Sequence, residues 1–186
     1  QAKGLPNVAA VGGARLHPDL IPRLGRLGFD TIVLAFDNDV AGREGISRAV
    51  ESASRAKEAP VVRVLEPKQL GDSKDPDAFV REHGIEKFRT LIDNADCAIS
   101  WHALELTHGI TPRDDALLRR AALARAGNWL GTLPARLSIE QEDAVHRVAD
   151  QCGYSRSAVE RAFRERFWKQ SPDLRQRHER GFVIEH

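Results

Sequence analysis

Two pairs of aspartates, each in a short acidic motif, are the residues of this chain best suited to chemistry. Asp37 and Asp39 lie in VLAFDNDVAGREG, residues 33 to 45, directly after a run of apolar residues. In an extended chain, residues two apart point the same way, so both carboxylates can face one ion. Two hard oxygen ligands with room for water and a phosphate are how proteins usually hold Mg²⁺. The pair therefore predicts a divalent-metal site.

The second pair, Asp75 and Asp77, lies in KDPD, residues 74 to 77, after the next apolar run. Neighbouring parallel strands lie only ~5 Å apart, so loops at the same end of two strands can bring their carboxylates around shared metal ions. Both motifs also have a purely structural interpretation. Aspartate is a favoured N-cap, which suits Asp39, and Asp-Pro-Asp is a common helix start. A cap does not explain Asp37.

An EF-hand is a second interpretation of DNDVAGREGISR, residues 37 to 48. The stretch offers Asp at the first and third loop positions and Gly at the sixth. The fifth position, however, is Ala41, and the twelfth, which requires a bidentate glutamate, is Arg48. The pattern therefore does not support a calcium loop of this type.

The elements that must position the aspartates alternate between strand and helix in the first half. Strands are predicted for VAAV (8 to 11), TIVLAF (31 to 36) and VVRVL (61 to 65). TIVLAF is a continuous apolar run, typical of a strand buried on both faces of a parallel sheet. With helical spacing between the strands, the order predicts a parallel α/β sheet. Both acidic motifs then follow strands at the edge where such sheets bind ligands.

The second half predicts helices, with no convincing strand until GFVIE near the end. We predict helices over about 77 to 95, 97 to 108, 113 to 130, 138 to 152 and 156 to 169. The expected organisation is an α/β domain over 1–96, a helical subdomain over 97–170 and a loose tail over 171–186, with the boundary near residues 96 to 100.

Composition and charge limit the class of protein. The 186 residues carry a formal net charge of +1 and two widely spaced cysteines, Cys97 and Cys152, which favours free thiols over a zinc site or a disulfide framework. No segment is apolar enough to span a bilayer and no signal-peptide pattern is present, so a cytoplasmic protein is expected.

The charges are unevenly distributed along the chain. Residues 66 to 96 hold eight acidic against five basic side chains, and residues 153 to 181 hold eight basic against four acidic. This asymmetry suits a polyanion bound to the basic part and metal ions bound to the acidic part. Solvated helix faces of mixed charge give the same counts.

The motifs, taken in order, resemble a known family. VAAVGGARLHPDLIPRLGRLGFDTIVLAFDNDVAGREGISRAVE, followed by a strand and then KDPDAFVREHG, is similar to the Toprim domain of bacterial DnaG-type primases over residues 8 to 95. That family shows a small glycine-containing turn after one strand, Asp-x-Asp-x-Ala-Gly after the next, and an Asp-Pro-Asp motif opening a helix. Toprim topoisomerases and gyrases share Asp-x-Asp, but AGREG and KDPD look like the primase version. The resemblance implies a small Toprim-like parallel sheet flanked by helices, followed by an all-α subdomain.

The resemblance implies that Asp37, Asp39, Asp75 and Asp77 bind Mg²⁺ or Mn²⁺ for nucleotidyl transfer, with Asp37 and Asp39 catalytic. The implied activity is synthesis of short RNA primers from ribonucleotides on single-stranded DNA, with a replicative helicase as a candidate partner and no membrane association. The family's Glu-Gly motif, its zinc-binding module and its basic subdomain have no match among these residues, and the glutamate would fall just upstream of Gln1. The chain is therefore expected to be an incomplete catalytic unit.

The helical half also looks like the subdomain that follows Toprim in these primases. Its stripes of Leu, Ala and Val predict core packing. A helix-turn-helix is the alternative, because Ala149, Gly153 and Val159 fall at its small, turn and apolar positions and Arg156 opens the would-be recognition helix. The tryptophans are interpreted as packing residues rather than base-stacking platforms: Trp101, Trp129 and Trp168.

Three function hypotheses remain open from the sequence. The first is the catalytic part of a primase. The second is a non-catalytic DNA-binding or partner-docking module with a degenerate Toprim core. The third is another Toprim enzyme, a nuclease or a topoisomerase.

Overall fold

The computed structural model describes residues 7–10, 16–57 and 59–167, without the side chains of 164–167. Its strands are β1 (Thr31–Leu34), β2 (Val61–Val64) and β3 (Asp96–Cys97). Its α-helices are α1 (Leu20–Arg26), α2 (Val40–Arg55), α3 (Pro76–His83), α4 (Ile85–Asp93), α5 (Ala98–Glu105), α6 (Ala116–Leu130), α7 (Ser138–Cys152) and α8 (Arg156–Phe167). Short 3₁₀ turns cover Pro67–Leu70 and Ala135–Leu137.

The small sheet flanked by helices is confirmed, with one correction to its topology. β1 and β2 run parallel, with Leu34 opposite Val64, as the sequence predicts. β3 lies on the other side of β2 and is antiparallel to it, with Arg63 opposite Cys97. The sheet is therefore mixed. A two-residue strand that leads straight into α5 is too short to leave a periodic signal in the sequence.

The strand predicted over residues 8–11 is absent from its described part. Residues 8–10 carry no strand, and Val8 is half exposed. A short apolar run becomes a strand only where it can pair and pack, and Val8 is not packed in this way. Val11 and the glycine turn after it lie outside the described residues.

The helices agree with the predicted pattern except at one break. The helix predicted over 77–95 is two helices, α3 and α4, separated by Gly84. Gly84 has φ of 85°, a left-handed conformation that glycine adopts readily and that ends a helix. Helix α7 also ends at a left-handed glycine, Gly153. Trp168, the tail and the GFVIE stretch lie outside the described residues.

One hydrophobic cluster connects the sheet with the helices that follow it. Ile46 and Val50 of α2, Trp101 of α5 and Val148 of α7 are all at most 3% exposed and belong to this cluster. Full burial of one such side chain stabilises the fold by about 1.5–3 kcal/mol. The cluster crosses the domain boundary predicted near residues 96 to 100, and that boundary stays a prediction.

A second, smaller cluster supports the segment after β2. It contains Leu65, Leu70, Phe79 and Phe88, all at most 7% exposed. These residues hold the 3₁₀ turn, α3 and α4 together, and so position the KDPD motif. Among the helices of the described ranges, none combines the length and the apolar character needed to cross a membrane.

Candidate functional site

The DND loop, residues 37–39, connects the end of β1 with the start of α2. Asp39 has an extended backbone, and its Oδ1 accepts a hydrogen bond from the Gly42 amide at 2.7 Å. The interpretation of Asp39 as an N-cap is therefore confirmed. The other carboxylate oxygen of Asp39 has no hydrogen-bond partner among the described residues. The cap thus occupies one oxygen and leaves the other for a ligand.

Gly42 allows the DND loop to fold tightly onto α2. A Cβ atom at this position would lie 2.1 Å from the carbonyl oxygen of Asp37, a distance at which no side chain fits. The glycine of the Asp-x-Asp-x-Ala-Gly pattern is thus required by a close backbone approach. The Asp37 side chain is exposed and makes no hydrogen bond or ion pair within the described ranges.

The KDPD motif repeats this arrangement at the start of α3. Asp75 is extended, and its Oδ1 accepts a hydrogen bond from the Ala78 amide at 2.7 Å, with Pro76 at the first helical position. The helix-start interpretation of this motif is confirmed as well. Asp77 lies in the first turn of α3 and forms an ion pair with Arg81, one turn further along.

Asn38 joins the two acidic loops. Its main-chain amide donates to the carbonyl oxygen of Lys74 at 2.8 Å, and its side-chain Nδ2 donates to the carbonyl oxygen of Gly71 at 3.0 Å. The preceding strands are in register, because the Leu65 amide donates to the Leu34 carbonyl at 2.9 Å. The structure therefore brings the loops that carry Asp37, Asp39 and Asp75 together at the carboxyl ends of β1 and β2.

The aspartates do not form a ready-made cluster of ligands. Across the described ranges, no group of three or more His, Cys, Asp or Glu side chains is placed to hold a metal ion. The donor chemistry nevertheless fits a hard cation, because Asp37 and the uncapped oxygens of Asp39 and Asp75 are carboxylate oxygens of the kind that Mg²⁺ and Mn²⁺ prefer. Asp77 would first have to leave Arg81. Metal binding by these four residues stays a prediction.

Sequence reasoning missed an ion network centred on Arg43. Its guanidinium donates to Glu66 Oε1 at 2.8 Å and, through Nε, to Glu105 Oε1 at 3.2 Å. A further contact joins Arg43 to the second oxygen of Glu105, and the Trp101 indole donates to Glu66. The hydrogen bond to Glu105 raises the pKa of Arg43, and desolvation opposes this only in part. The network therefore joins α2 to α5 through Arg43, which lies four residues after Asp39. In the sequence, Arg43 shows only as one charge in AGREG, far from its partners.

A second charged pair joins β3 to α7. Arg147 donates two hydrogen bonds to the Asp96 carboxylate, at 2.7 and 2.6 Å. This bidentate contact raises the pKa of Arg147. Asp96, one of the acidic residues of the 66–96 stretch, therefore serves a structural pair rather than the acidic loops.

Helices α7 and α8 pack as two helices joined by a short turn. Ala149 and Val159 are buried, and Gly153 takes the left-handed conformation that the turn needs. Arg156 at the start of α8 is exposed and donates to Asp150 of α7 at 2.9 Å. The exposed arginine is thus held by its own protein, and base recognition by this helix pair stays a prediction.

Comparison with known proteins finds a family match and similar DNA primases. Residues 1–80 match the family model described as Toprim-like. A DNA primase of Chlamydia muridarum is 28% identical over 123 residues, which cover 64% of this chain and 20% of that protein. The chain thus spans about a fifth of the length of this relative.

Two solved structures share the fold. The crystal structure of a DNA primase domain from Pseudomonas aeruginosa aligns with a TM-score of 0.57 at 27% identity, over 81% of this chain and 45% of that one. The structure of the DnaG catalytic core aligns with a TM-score of 0.58 at 22% identity, over 76% of this chain and 44% of that one. Together with the order of the acidic motifs and the small helix-flanked sheet, these similarities show that residues 1–80 are Toprim-like and that the chain is similar over much of its length to bacterial DNA primases.

Proposed function

We propose that this chain is part of the RNA-polymerase core of a DNA primase, which synthesises short RNA primers from ribonucleotides on a single-stranded DNA template. The homology to bacterial primases supports the primase role. The observation that carries the proposed chemistry is the hydrogen-bonded pair of acidic loops at the carboxyl ends of β1 and β2, joined by Asn38. Ligands of open α/β sheets bind at this edge.

Asp37, Asp39 and Asp75 would hold Mg²⁺ or Mn²⁺, with Asp77 joining them once it leaves Arg81. When bound, such ions activate a 3′-hydroxyl and stabilise the departing pyrophosphate. The chain's own contribution is to orient the carboxylates. Each cap hydrogen bond fixes the rotamer of its aspartate, so that Asp39 and Asp75 present their second oxygens from fixed positions.

The helix termini also make it possible to gather several negative charges in one place. Asp39 and Asp75 each sit at the N-terminus of a helix, where the partial positive charge of the helix dipole stabilises a carboxylate by about 0.3–1 kcal/mol. This offsets part of the repulsion between the two loops before a cation arrives. Asp37 lies before the start of α2 and, within the described residues, has no such contact with a helix terminus.

The test separates the capping role from the metal role. Asparagine caps a helix about as well as aspartate, but its neutral oxygen is a weaker ligand for a hard cation. In Asp39→Asn and Asp75→Asn, we expect at most a small fall in the melting temperature without metal, from the lost helix-dipole stabilisation of about 0.3–1 kcal/mol, and roughly tenfold weaker Mn²⁺ binding. Electron paramagnetic resonance of free Mn²⁺ measures the binding, and circular dichroism measures the melting.

The matched control is Asp93→Asn, which removes one exposed charge at the end of α4, outside the acidic loops. Its Mn²⁺ affinity should equal that of the wild type. The proposal is wrong if the wild type binds no Mn²⁺, or if Asp39→Asn and Asp75→Asn bind it as tightly as Asp93→Asn does.

A further inference from the structure

Asn38, the middle residue of the Asp-Asn-Asp motif, contacts the KDPD loop at two points. Its main-chain amide meets the Lys74 carbonyl at 2.8 Å, and its side-chain amide meets the Gly71 carbonyl at 3.0 Å. These acceptors lie three residues apart on the segment that leads into Asp75. A single residue between two candidate ligands therefore holds the loop that carries a third.

The chemistry of the contacts assigns the orientation of the Asn38 amide. A carbonyl oxygen only accepts hydrogen bonds, so the group facing Gly71 must be the NH₂ end of the side chain. The main-chain bond to Lys74 is open to any residue except proline. The side-chain bond requires a side-chain donor of this reach, so it distinguishes Asn38 from the glycine or alanine that would also fit an exposed turn.

The other side of the same loop is fixed to α3. Ser73 is 2% exposed, and its hydroxyl donates to Glu82 Oε2 at 2.7 Å. Its amide also donates to the Leu70 carbonyl at 3.1 Å, which ties it to the small core cluster. Residues 71–74 are thus held from one side by α3 and from the other by Asn38.

We propose that Asn38 is a positioning residue that sets the separation between the DND and KDPD loops, and thereby the affinity of the site between them for a divalent cation. This inference rests on the proposed function. Asn38 acts through its neighbours: it fixes Asp37 and Asp39 on its own loop against Asp75 on the other. Residues that hold metal ligands in place typically contribute a factor of 10 to 100 in metal affinity. Because the main-chain bond survives substitution, the lower end of that range applies.

The experiment compares Asn38→Ala with Asn94→Ala and with the double variant Asp37→Ala/Asp39→Ala. Asn94 is the matched control, because its exposed amide also donates to a main-chain carbonyl, that of Thr90 at 2.7 Å, at the end of α4. Mn²⁺ affinity is measured by electron paramagnetic resonance. Hydrogen–deuterium exchange of the metal-free proteins reports on the segments around residues 38 and 71–75, and circular dichroism reports on melting.

We expect Asn38→Ala to bind Mn²⁺ about tenfold more weakly than the wild type and to exchange faster in the two acidic loops. Asn94→Ala should bind Mn²⁺ like the wild type, with a comparable change in metal-free melting temperature. A purely structural role for Asn38 would lower the melting temperature and leave the affinity unchanged.

Two outcomes overturn the inference, and only the second of them also overturns the proposed metal function. If the wild type binds Mn²⁺ and Asn38→Ala binds it equally well, Asn38 does not position the site, while the proposed metal function stands. If the wild type binds Mn²⁺ no better than Asp37→Ala/Asp39→Ala, the metal function itself fails and the role of Asn38 fails with it.

Discussion

Asp39 and Asp75 each have two carboxylate oxygens, and within the part of the chain that the structure describes only one oxygen of each accepts a hydrogen bond. From the sequence, helix capping and metal binding are competing explanations of the same aspartates. In the structure, Oδ1 of each residue caps its helix, and the second oxygen stays available. The caps follow from local patterns and were predictable. The pairing of Asp77 with Arg81 was not, since an exposed i,i+4 pair is one of many that the charges allow.

Replacing Gly42 by alanine should change the free energy of unfolding, and the close approach of two backbone segments decides whether it rises or falls. In an ordinary helix, replacing glycine by alanine stabilises the protein by up to about 1 kcal/mol. In Gly42→Ala, the new Cβ would lie 2.1 Å from the Asp37 carbonyl oxygen, so the DND loop must shift. We expect the free energy of unfolding to fall by about 1–3 kcal/mol, measured by urea denaturation.

The adjacent residue supplies the control for this substitution. Ala41 is exposed in the same helical turn, and Ala41→Gly should cost about 0.5–1 kcal/mol through backbone entropy alone. A Gly42→Ala protein that is more stable than the wild type would show that the loop does not lie against α2 as described.

His102 is a buried titratable residue next to acidic side chains. It is 2% exposed, its ring makes an edge contact with Trp129 at 4.4 Å between centroids, and its Nε2 lies 3.5 Å from Glu51 Oε1. Within the described ranges, neither ring nitrogen has a hydrogen bond of good geometry. Burial lowers the pKa of His102 below its usual 6.5, and the charges of Glu51 and Glu105 oppose this only in part.

This lowered pKa predicts that acid destabilises the protein in a defined range. Below pH 6.5, the usual pKa of histidine, the unfolded chain takes up a proton at His102 more readily than the fold does. The free energy of unfolding therefore falls as the pH drops from about 7 towards the lowered pKa. In His102→Gln, the melting temperature should depend less steeply on pH over this range, as measured by circular dichroism.

Substitution of an exposed histidine isolates the contribution of His102. His108 lies three residues beyond α5 and is exposed, so His108→Gln should keep the pH dependence of the wild type. Equal slopes in the wild type and in His102→Gln would mean that the buried ring does not resist protonation.

At the level of elements, the sequence predicts the helices whose apolar residues recur periodically. It does not predict the short third strand or the break between α3 and α4. Helices α7 and α8 follow apolar spacing over three or more turns, so their periodic patterns were decisive. In α6 the apolar residues are only partly buried: Ala122, Ala126 and Leu130 are in the core, whereas Leu117 and Leu118 are exposed. The antiparallel strand Asp96–Cys97 has only two residues; Asp96 was predicted to lie between two helices and Cys97 to begin the second of them. The break at Gly84 was missed because both flanking helices have amphipathic patterns that read as one.

The contact between α2 and α5 depends on a side chain whose partners lie far away in sequence. Arg43 binds Glu66 and Glu105 at once, and its guanidinium carbon lies 5.7 Å from the centroid of the Trp101 ring. Lysine offers one point charge and cannot reproduce the planar fork. Because all three charged side chains are less than one third exposed, we expect Arg43→Lys to lower the free energy of unfolding by about 1–3 kcal/mol, measured by urea denaturation.

Helix α2 also carries the matched control for this substitution. Arg48 pairs with Glu44 at 3.3 Å, and both side chains are at least half exposed, so Arg48→Lys should change stability by less than about 0.5 kcal/mol. Equal effects of the two substitutions would indicate that the Arg43 network contributes no more than a solvated surface pair.

At the level of the whole molecule, the change from alternating strands and helices to helices alone predicts a domain boundary, but burial does not follow that change. Ile46 of α2 and Val148 of α7 belong to the same hydrophobic cluster and are both fully buried. A sequence pattern shows which face of each element is apolar. It does not show which elements share a core, because that depends on contacts between residues distant in the chain.

The shared core predicts that the α/β part and the helical part unfold together. Ile46→Val in the first and Val148→Ala in the second each remove buried methyl groups, and Ile46→Val should cost about 0.5–1.5 kcal/mol. Tryptophan fluorescence reports on the helical part through Trp101 and Trp129, and hydrogen exchange at increasing urea reports on β1 and α2. Since one cluster links the parts, each substitution should lower the unfolding midpoint by the same amount at both probes.

Ala41→Gly, on the exposed face of α2, is the control, and its small shift of the unfolding midpoint should also appear at both probes. If Ile46→Val moved only the exchange midpoint and Val148→Ala only the fluorescence midpoint, the two parts would be independent units, and the predicted boundary near residues 96 to 100 would separate two folding domains.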